Sequence, residues 1–273
     1  MEVRMLGNSG LFVSYLTLGT MTWGRDTDAY EARDQFNIYY DAGGRSIDTA
    51  DVYCDGASEE IVGEFLREYP DVVLATKAVA VPEPRKRDAS RRQVRYIGIS
   101  NYSGWQHSQI ATMAANRIPI VASQMEYSLL ERGIEREVVS ACQAHNIGIA
   151  AWSPLGRGVL TGKYRHSTPA DSRGASALFA NFVAPFMADG SRRIVEALAV
   201  AAEGLGRPLL DTSLAWLLAQ PQVSTAVVGA RTAAQLRGIV NADLSELPAG
   251  IEQALSDVSA PPKGYPEYGW SQK

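Results

Sequence analysis

The sequence predicts an α/β fold of the (β/α)8 TIM-barrel class, and three observations support this prediction. The chain has 273 residues, and a barrel of this class fills about 250 residues as one domain. Short apolar runs that end at polar residues alternate with stretches in which apolar residues are spaced by three and four. Such alternation predicts a parallel sheet, because parallel strands need a helical crossover. We therefore expect residues 1–273 to form a single barrel domain.

Seven segments are predicted strands because each is short, rich in apolar or β-branched residues, and bounded by Gly, Asp or Asn. They are residues 15–19, 46–49, 72–77, 96–100, 120–124, 147–153 and 225–229. The helical patterns between them cover residues 29–43, 58–69, 104–117 and 135–146. A Rossmann sheet is the main alternative, but no G-x-G-x-x-G follows a predicted strand and no P-loop motif is present.

Two segments interrupt this alternation. Residues 153–224 are predicted to be a long βα-loop insertion with its own helices, large enough to close over a ligand. Between Lys77 and Arg95 the sequence has two prolines, a dense basic run and no apolar helical face. The fourth βα unit of the barrel is therefore predicted to be missing from this sequence. Residues 260–273 lack a helical pattern and are predicted to be a C-terminal tail.

Composition narrows the classes of function. The net charge of −4 argues against a nucleic-acid or anionic-membrane partner, because those surfaces need a basic excess. Two cysteines are too few for a disulfide framework and the N-terminus lacks an apolar leader, which predicts a cytoplasmic protein. The three histidines are scattered and no Cys/His spacing indicates a metal site. The sequence predicts neither the oligomeric state nor the natural substrate.

A possible reaction centre begins in the stretch "SIDTADVYCDG", residues 46–56. Asp48 and Lys77 each follow an apolar run, and barrel strands bring their C-terminal ends to one face. Because an unpaired ammonium is disfavoured at a buried strand end, we expect Lys77 to pair with Asp48 and Tyr53 to join them. An ammonium about 4 Å from a phenol, at a dielectric of about 20, favours the phenolate by ~4 kcal/mol, which would bring the pKa of Tyr53 near 7. Such a tyrosine suits proton donation to a carbonyl oxygen.

Taken alone, each of these residues also has an ordinary structural role. Asp48 could be a turn residue, Lys77 could extend to solvent, and Trp23 could be either a packing residue or part of a substrate pocket. Their combination favours a functional centre.

Four further motifs occur in a recognisable order, namely "DTADVYCDGASEEIVG", "RYIGISNYSGWQ", "QMEYSLLERGIERE" and "AWSPLGRGVLTGKY". With them the chain resembles, over nearly its whole length, the aldo-keto reductases, in the branch that includes potassium-channel β-subunit-like reductases. The resemblance implies a TIM barrel that uses NADPH to reduce an aldehyde or a ketone, with a tyrosine protonating the carbonyl oxygen. Asp48, Tyr53 and Lys77 match three of the family's four catalytic positions.

The resemblance also implies a set of cofactor-binding residues. Ser100, Asn101 and Gln124 match the residues that hold the nicotinamide carboxamide, and Trp152 matches the aromatic residue that stacks on its ring. Matching positions in the first strand motif and in the loop over the pyrophosphate are Thr20, Met21, Ser153, Leu155, Arg157, Gly158 and Lys163. Positions around the adenosine 2′-phosphate are matched by Arg173, Gly229, Arg231 and Gln235. A guanidinium suits a phosphate, which favours NADPH over NADH.

Two positions depart from the family pattern. Ile239 stands where the family has an Asn that contacts adenine, and no histidine lies in residues 78–93, where the fourth catalytic residue would be. Either the protein lacks this unit or residues of the natural chain are absent from this sequence; we favour the second explanation, because losing a barrel strand exposes unpaired backbone groups. The missing histidine leaves an alternative function open, an NADPH-binding barrel with little turnover that acts as a regulatory or redox-sensing protein.

Overall fold

The computed structural model describes residues 1–77, 94–177, 179–262 and 264. Its strands are β1 Val3–Met5, β2 Phe12–Ser14, β3 Leu16–Gly19, β4 Ser46–Asp48, β5 Val73–Ala75, β6 Ile97–Ser100, β7 Ile120–Glu126, β8 Gly148–Trp152 and β9 Val223–Val228. Its α-helices are α1 Ala29–Asp41, α2 Ala57–Leu66, α3 Gly104–Ala114, α4 Val138–Ala144, α5 Ala180–Val183, α6 Asp189–Leu205, α7 Leu209–Leu218, α8 Ala233–Val240 and α9 Ala249–Val258. Strands occur at all seven predicted places.

The main sheet has seven strands in the order β5-β4-β3-β9-β8-β7-β6, and every pair in it is parallel. The first of these strands, β3, pairs with the last, β9, which curls the sheet into a barrel wall. A separate antiparallel hairpin is formed by β1 and β2. Most of these strands are followed by a helix, as a parallel sheet requires.

Within the described residues, the sheet ends at β5 on one side and at β6 on the other. These two strands follow one another among the described elements, and residues 78–93 between them lie outside the described part of the chain. The position of a fourth barrel strand therefore falls between β5 and β6, and no described residue fills it. The prediction of a missing fourth unit falls on residues 78–93, outside the described part of the chain.

The core lies between the sheet and its helices. Leu16, Leu18 and Ile47 on the first two barrel strands are fully buried, and α1 packs Phe36 against this layer. Tyr39, three residues later on the same helical stripe, has its hydroxyl oxygen 2.7 Å from the backbone oxygen of Leu16 on β3 and 2.8 Å from that of Ser46 on β4, and it can donate to either. The helix layer thereby fixes the strands whose ends carry the polar residues.

The insertion between β8 and β9 contains α5, α6, α7 and three 3-10 turns, at Gly156–Thr161, Arg173–Ala175 and Ala184–Met187. The predicted tail lies largely outside the described residues, since only residues 260–262 and 264 of it are described. Within the described ranges, no helix is long and apolar enough to cross a membrane.

Candidate active site

Three polar side chains meet at the C-terminal ends of β4 and β5. The ammonium nitrogen of Lys77 lies 2.6 Å from Asp48 Oδ1, 3.0 Å from the backbone oxygen of Thr49 and 3.3 Å from the hydroxyl of Tyr53. The Asp48 side chain is only 4% exposed, whereas that of Lys77 is 27% exposed. The structure thus brings together the three residues predicted to be catalytic, and a buried carboxylate orients the lysine between itself and the phenol.

The loop after β4 places Tyr53 because its backbone turns sharply. Cys54 and Asp55 have φ angles of 49° and 57°, in the left-handed region that non-glycine residues seldom adopt. The fully buried Ser58, on the following helix, donates to the backbone oxygen of Thr20 at 2.9 Å and lies 3.1 Å from the Thr49 hydroxyl. This network holds both ends of the loop against β3 and β4.

The pKa of Tyr53 differs from the sequence-based expectation. Burial raises the pKa of the hydroxyl above its ordinary value of 10.0, the Lys77 ammonium opposes the rise, and the Asp48 carboxylate adds to it. The prediction of a pKa near 7 was wrong, because it counted the ammonium and left out the burial and the carboxylate. Tyr53 is therefore a neutral phenol at physiological pH, the form that a proton donor needs.

Asp48 carries two opposing influences. Burial raises the pKa of its carboxyl above the ordinary value, while the Lys77 ammonium and the Gln124 amide favour the carboxylate. Gln124, two residues before the end of β7, donates from Nε2 to Asp48 Oδ2 at 2.6 Å. Both carboxylate oxygens are thus hydrogen-bonded, as a buried charge requires. Gln124 was predicted as a cofactor residue from the family pattern, and the structure adds this contact with the reaction centre.

The next part of the site is the indole ring of Trp152, which is held by a neighbouring residue of the predicted nicotinamide set. Trp152, at the end of β8, donates from Nε1 to Asn101 Oδ1 at 3.1 Å, and its ring is partly exposed. Asn101 has a φ of 58°, and the neighbouring Ser100 donates to the Gln124 backbone oxygen at 2.9 Å. The predicted nicotinamide-binding residues therefore form one connected set at the ends of three adjacent strands, β6, β7 and β8.

The loop after Trp152 has an unusual backbone. Ser153, Gly156, Arg157 and Gly158 all have positive φ angles, of 51°, 54°, 58° and 92°. A Cβ at Gly158 would lie 3.2 Å from the Lys163 ammonium, so a glycine there keeps space open beside that cation. Such turns bring the backbone close to a ligand. The remaining member of the predicted set, Leu155, precedes the 3-10 turn.

Two arginines predicted to surround a phosphate, one in the insertion and one after β9, lie close enough for the charge of Arg231 to act on Arg173. Arg231 donates to the backbone oxygen of Asp171 and lies 3.9 Å from its carboxylate. The Arg173 guanidinium makes no hydrogen bond or ion pair within the described part of the chain, and it faces the Phe179 ring at 5.8 Å. Burial and the positive charge of Arg231 lower the pKa of Arg173. A partly buried, unpaired guanidinium beside a second one fits an anionic group.

Most of the other predicted cofactor residues make hydrogen bonds in which at least one partner is a backbone atom. Thr20 is fully buried, with its hydroxyl 3.1 Å from the Asp48 backbone oxygen, and the Met21 backbone oxygen accepts from Cys54 Sγ at 3.4 Å. Gly229 directly follows β9, and Gln235 accepts from the Arg231 backbone N–H at 3.0 Å. These residues border the same face of the barrel as the reaction centre.

Three buried residues bear on the sequence analysis: Trp23, whose role was left open, Ile239, which departs from the family pattern, and one of the scattered histidines. Trp23 is fully buried and donates from Nε1 to Gln35 at 3.1 Å, which makes it a packing residue. Ile239 is 4% exposed and belongs to the core cluster, so an apolar core position replaces the expected Asn. His107 is fully buried, with its ring nitrogens 2.9 Å from the Ser103 backbone oxygen and 2.6 Å from the Ser123 hydroxyl. Its ring contacts are therefore away from Tyr53.

Sequence reasoning missed Glu126, which lies two residues after Gln124 on β7. Residues two apart in a strand share a face, so the pattern "QME" could have indicated a second polar residue toward the site. Glu126 accepts from Arg157 Nε at 2.8 Å and from Nη2 at 2.7 Å. Arg157, predicted from the family pattern to lie over the pyrophosphate, has its side chain engaged in this ion pair.

A model of the aldo/keto reductase family matches residues 15–95 and 93–250 of the chain. The chain belongs to the aldo/keto reductase family. Its fold is accordingly that of the (β/α)8 TIM barrel, and the described residues provide seven of the strands. The two matched segments overlap at residues 93–95.

Curated relatives point to the same family. A probable voltage-gated potassium channel subunit beta from Arabidopsis thaliana is 31% identical over 293 aligned positions, covering 87% of this chain and 89% of the plant protein. The uncharacterized oxidoreductase YrpG from Bacillus subtilis is 31% identical over 334 positions, covering 99% of this chain and all of the bacterial protein. That alignment is longer than the 273 residues of this chain, so it contains gaps in this chain. The family match and this relative support an oxidoreductase of the aldo/keto reductase type.

Proposed function

We propose that this aldo/keto reductase reduces an aldehyde or a ketone to an alcohol with NADPH, and that Tyr53 donates the proton. The observation that carries the proposal is the contact between the Tyr53 hydroxyl and the Lys77 ammonium at 3.3 Å, with Lys77 held by the buried Asp48. An acid, a cation beside it and an orienting carboxylate at the end of barrel strands suit proton transfer to a carbonyl oxygen.

Each residue has a distinct part in this chemistry. The bound cofactor would supply the hydride. Tyr53 gives its proton to the carbonyl oxygen as negative charge develops there, and the Lys77 ammonium stabilises the phenolate left behind. Asp48 holds Lys77 by the 2.6 Å ion pair, and Gln124 satisfies the second carboxylate oxygen of Asp48. The charge of Asp48 therefore stays in place while the proton moves.

The residues present fit a nicotinamide cofactor with a phosphate on its adenosine. Trp152 offers a partly exposed ring, fixed through its Nε1, against which a flat nicotinamide could stack. The unpaired guanidinium of Arg173, next to Arg231, would be balanced by the 2′-phosphate, which NADH lacks. We infer from this pair that NADPH is the cofactor.

The first test replaces Tyr53 by Phe, which removes the proton donor and keeps the ring. We expect carbonyl reduction to fall by about 10²- to 10⁴-fold, while NADPH binding changes little. Tyr40→Phe is the control, because the Tyr40 hydroxyl contacts Asp71 on the outer surface at 3.1 Å. Turnover by the Tyr53 variant equal to that of the control would refute the assignment.

The second test addresses the phosphate through Arg173→Ala. The dissociation constants of NADPH and NADH are compared in the same variant, so that NADH serves as the internal control. We expect the variant to bind NADPH about 10- to 100-fold more weakly and NADH almost unchanged, because a lost charge-assisted contact costs about 1.5–3 kcal/mol. Equal losses for the two cofactors would contradict the phosphate role.

A second function has one observation in its favour. Lys77 is the hydrogen-bond partner of the Tyr53 hydroxyl within the described residues, and the buried His107 is bound to Ser103 and Ser123 instead. Without a histidine at the carbonyl oxygen, the protein would bind NADPH but turn it over slowly, as a regulatory or redox-sensing barrel. Binding of NADPH without oxidation across a panel of aldehydes and ketones would favour this function. A cytoplasmic location and a small-molecule carbonyl substrate stay predictions.

A further inference from the structure

We propose that Glu126 is a positioning residue for the cofactor, because its ion pair with Arg157 fastens the loop of residues 153–163 to the barrel. We call this pair the Glu126–Arg157 latch. The inference rests on the proposed function, since it assigns the latch a role in cofactor binding.

The geometry of the latch is that of a paired, largely shielded interaction. Arg157 donates from Nε and Nη2 to the two oxygens of the Glu126 carboxylate, at 2.8 and 2.7 Å. The two side chains are 14% and 15% exposed. A bidentate pair between side chains this little exposed fixes the carboxylate plane relative to the guanidinium plane, and solvent screens it poorly.

The same guanidinium also holds a third segment. Its Nη1 donates to the backbone oxygen of Phe182, and its carbon lies 3.7 Å from the centre of the Phe182 ring and 4.5 Å from that of Phe186. Phe186 is 7% exposed and Val183 is fully buried, so these two side chains anchor the segment in the core. Arg157 therefore joins β7, its own loop and the segment of residues 180–187.

The backbone of Arg157 needs these contacts. Its φ of 58° lies between two glycines that also have positive φ, and a side-chain-bearing residue is strained in that region. A strained conformation persists when the surrounding contacts determine it, and the latch supplies two hydrogen bonds from the Arg157 guanidinium. Release of the latch would let the loop relax toward ordinary backbone angles.

The position of Glu126 connects this loop with the reaction centre. Gln124, two residues earlier on the same face of β7, donates to Asp48. Glu126 is also the register partner of Trp152, the residue from which the loop departs. One strand thus holds the reactive carboxylate and the cofactor loop in a fixed relation, so a change at Glu126 reaches the cofactor without touching Tyr53 or Lys77.

The chain contains a matched control pair in the same insertion. Arg165 donates to the two carboxylate oxygens of Glu196 at 3.0 and 2.6 Å, which repeats the bidentate geometry. These side chains are 29% and 47% exposed, and exposed pairs contribute little. Glu196→Ala therefore removes the same kind of pair without removing the latch.

The experiment compares Glu126→Ala, Glu126→Gln and Glu196→Ala in the full chain. The dissociation constant of NADPH is measured by its fluorescence without a carbonyl substrate, and turnover is measured at saturating NADPH. We expect Glu126→Ala to bind NADPH about 10- to 100-fold more weakly, because the loop of residues 153–163 is no longer fastened to β7 in the orientation that binds the cofactor, with kcat within about threefold. Glu126→Gln retains an accepting oxygen, so its NADPH dissociation constant should lie between those of Glu126→Ala and the unaltered protein. The dissociation constant of Glu196→Ala should stay within about twofold of that of the unaltered protein.

Hydrogen exchange in the cofactor-free protein gives a readout that does not depend on the cofactor. Faster exchange confined to residues 156–163 and 180–187 in Glu126→Ala, and absent in Glu196→Ala, would support the latch. Unchanged NADPH affinity in Glu126→Ala, or the same loss in Glu196→Ala, would overturn the inference. If Glu126→Ala does not fold, Glu126→Gln decides, and unchanged affinity there overturns it as well. Absence of NADPH binding by the unaltered protein would instead refute the proposed function, and this inference with it.

Discussion

The neighbouring strands β4 and β5 show how differently two parts of this barrel are covered. Ile47 on β4 and Leu74 on β5 are direct register partners, yet Ile47 is fully buried and Leu74 is 43% exposed. The difference arises because β4 lies between two strands, whereas β5 is an edge of the sheet in the described part of the chain. The reactive pair spans this boundary, with Asp48 at the end of β4 and Lys77 just beyond β5.

The comparison shows that the reaction centre depends on hydrogen bonds to residues on and after β4, the buried strand of the two. Lys77 leaves an edge strand, but its ammonium points back to Asp48, Thr49 and Tyr53, all on or after β4. Asp48 in turn contacts Gln124, which reaches it from β7, on the other side of the barrel mouth. These hydrogen bonds hold the lysine in a place that strand packing alone does not secure.

Among the tests of this comparison between β4 and β5, the largest effect is expected from Lys77→Met, which tests whether the lysine at the edge is indispensable. The variant loses the cation that stabilises a Tyr53 phenolate and leaves Asp48 with Gln124 as its remaining hydrogen-bond donor. We expect kcat/KM for the carbonyl substrate to fall by about 10²- to 10³-fold at saturating NADPH. Lys163→Met serves as a comparison, because Lys163 lies in the cofactor loop and should affect NADPH binding more than turnover. A loss of less than about fivefold in the Lys77 variant would contradict the proposed role.

The difference in burial between β4 and β5 can be tested directly on folding. We expect Ile47→Ala to lower the free energy of unfolding by about 2–5 kcal/mol, because it removes a fully buried side chain and leaves a cavity. Leu74→Ala should cost less than about 1 kcal/mol, because the leucine is already partly in water. Urea unfolding of both variants provides the measurement. Equal losses would mean that β5 is covered in solution as fully as β4.

Much of the site could be predicted from the sequence, because it depends on residues at strand ends. The segments ending at Asp48 and Lys77 were identifiable as strands, and the parallel sheet then required their ends to be neighbours. Glu126 was missed because its partner, Arg157, lies 31 positions away, in an insertion whose path no periodic pattern indicates. The pKa of Tyr53 was predicted wrongly because the burial of a side chain depends on packing, which a motif does not contain.

The smallest expected effect is on the pH dependence of turnover. It distinguishes a pKa of Tyr53 lowered by Lys77 from one raised by burial. A phenol donates a proton only while it is protonated, so activity is lost as the pH rises through its pKa. Burial outweighs Lys77 and raises the pKa of Tyr53 above the ordinary value of 10.0, which moves that loss to higher pH. We therefore expect kcat/KM for reduction to stay nearly constant between about pH 7 and 9 and to fall only beyond about pH 10. The profile of Tyr53→Phe, recorded with enough enzyme to measure its residual rate, shows which part of any decline belongs to other groups. A fall centred near pH 7 in the unaltered protein, absent in that variant, would mean that the Lys77 ammonium lowers the pKa of Tyr53 by more than burial raises it. The lysine that leaves the edge strand β5 would then set the pKa of the phenol more strongly than the packing around β4 does.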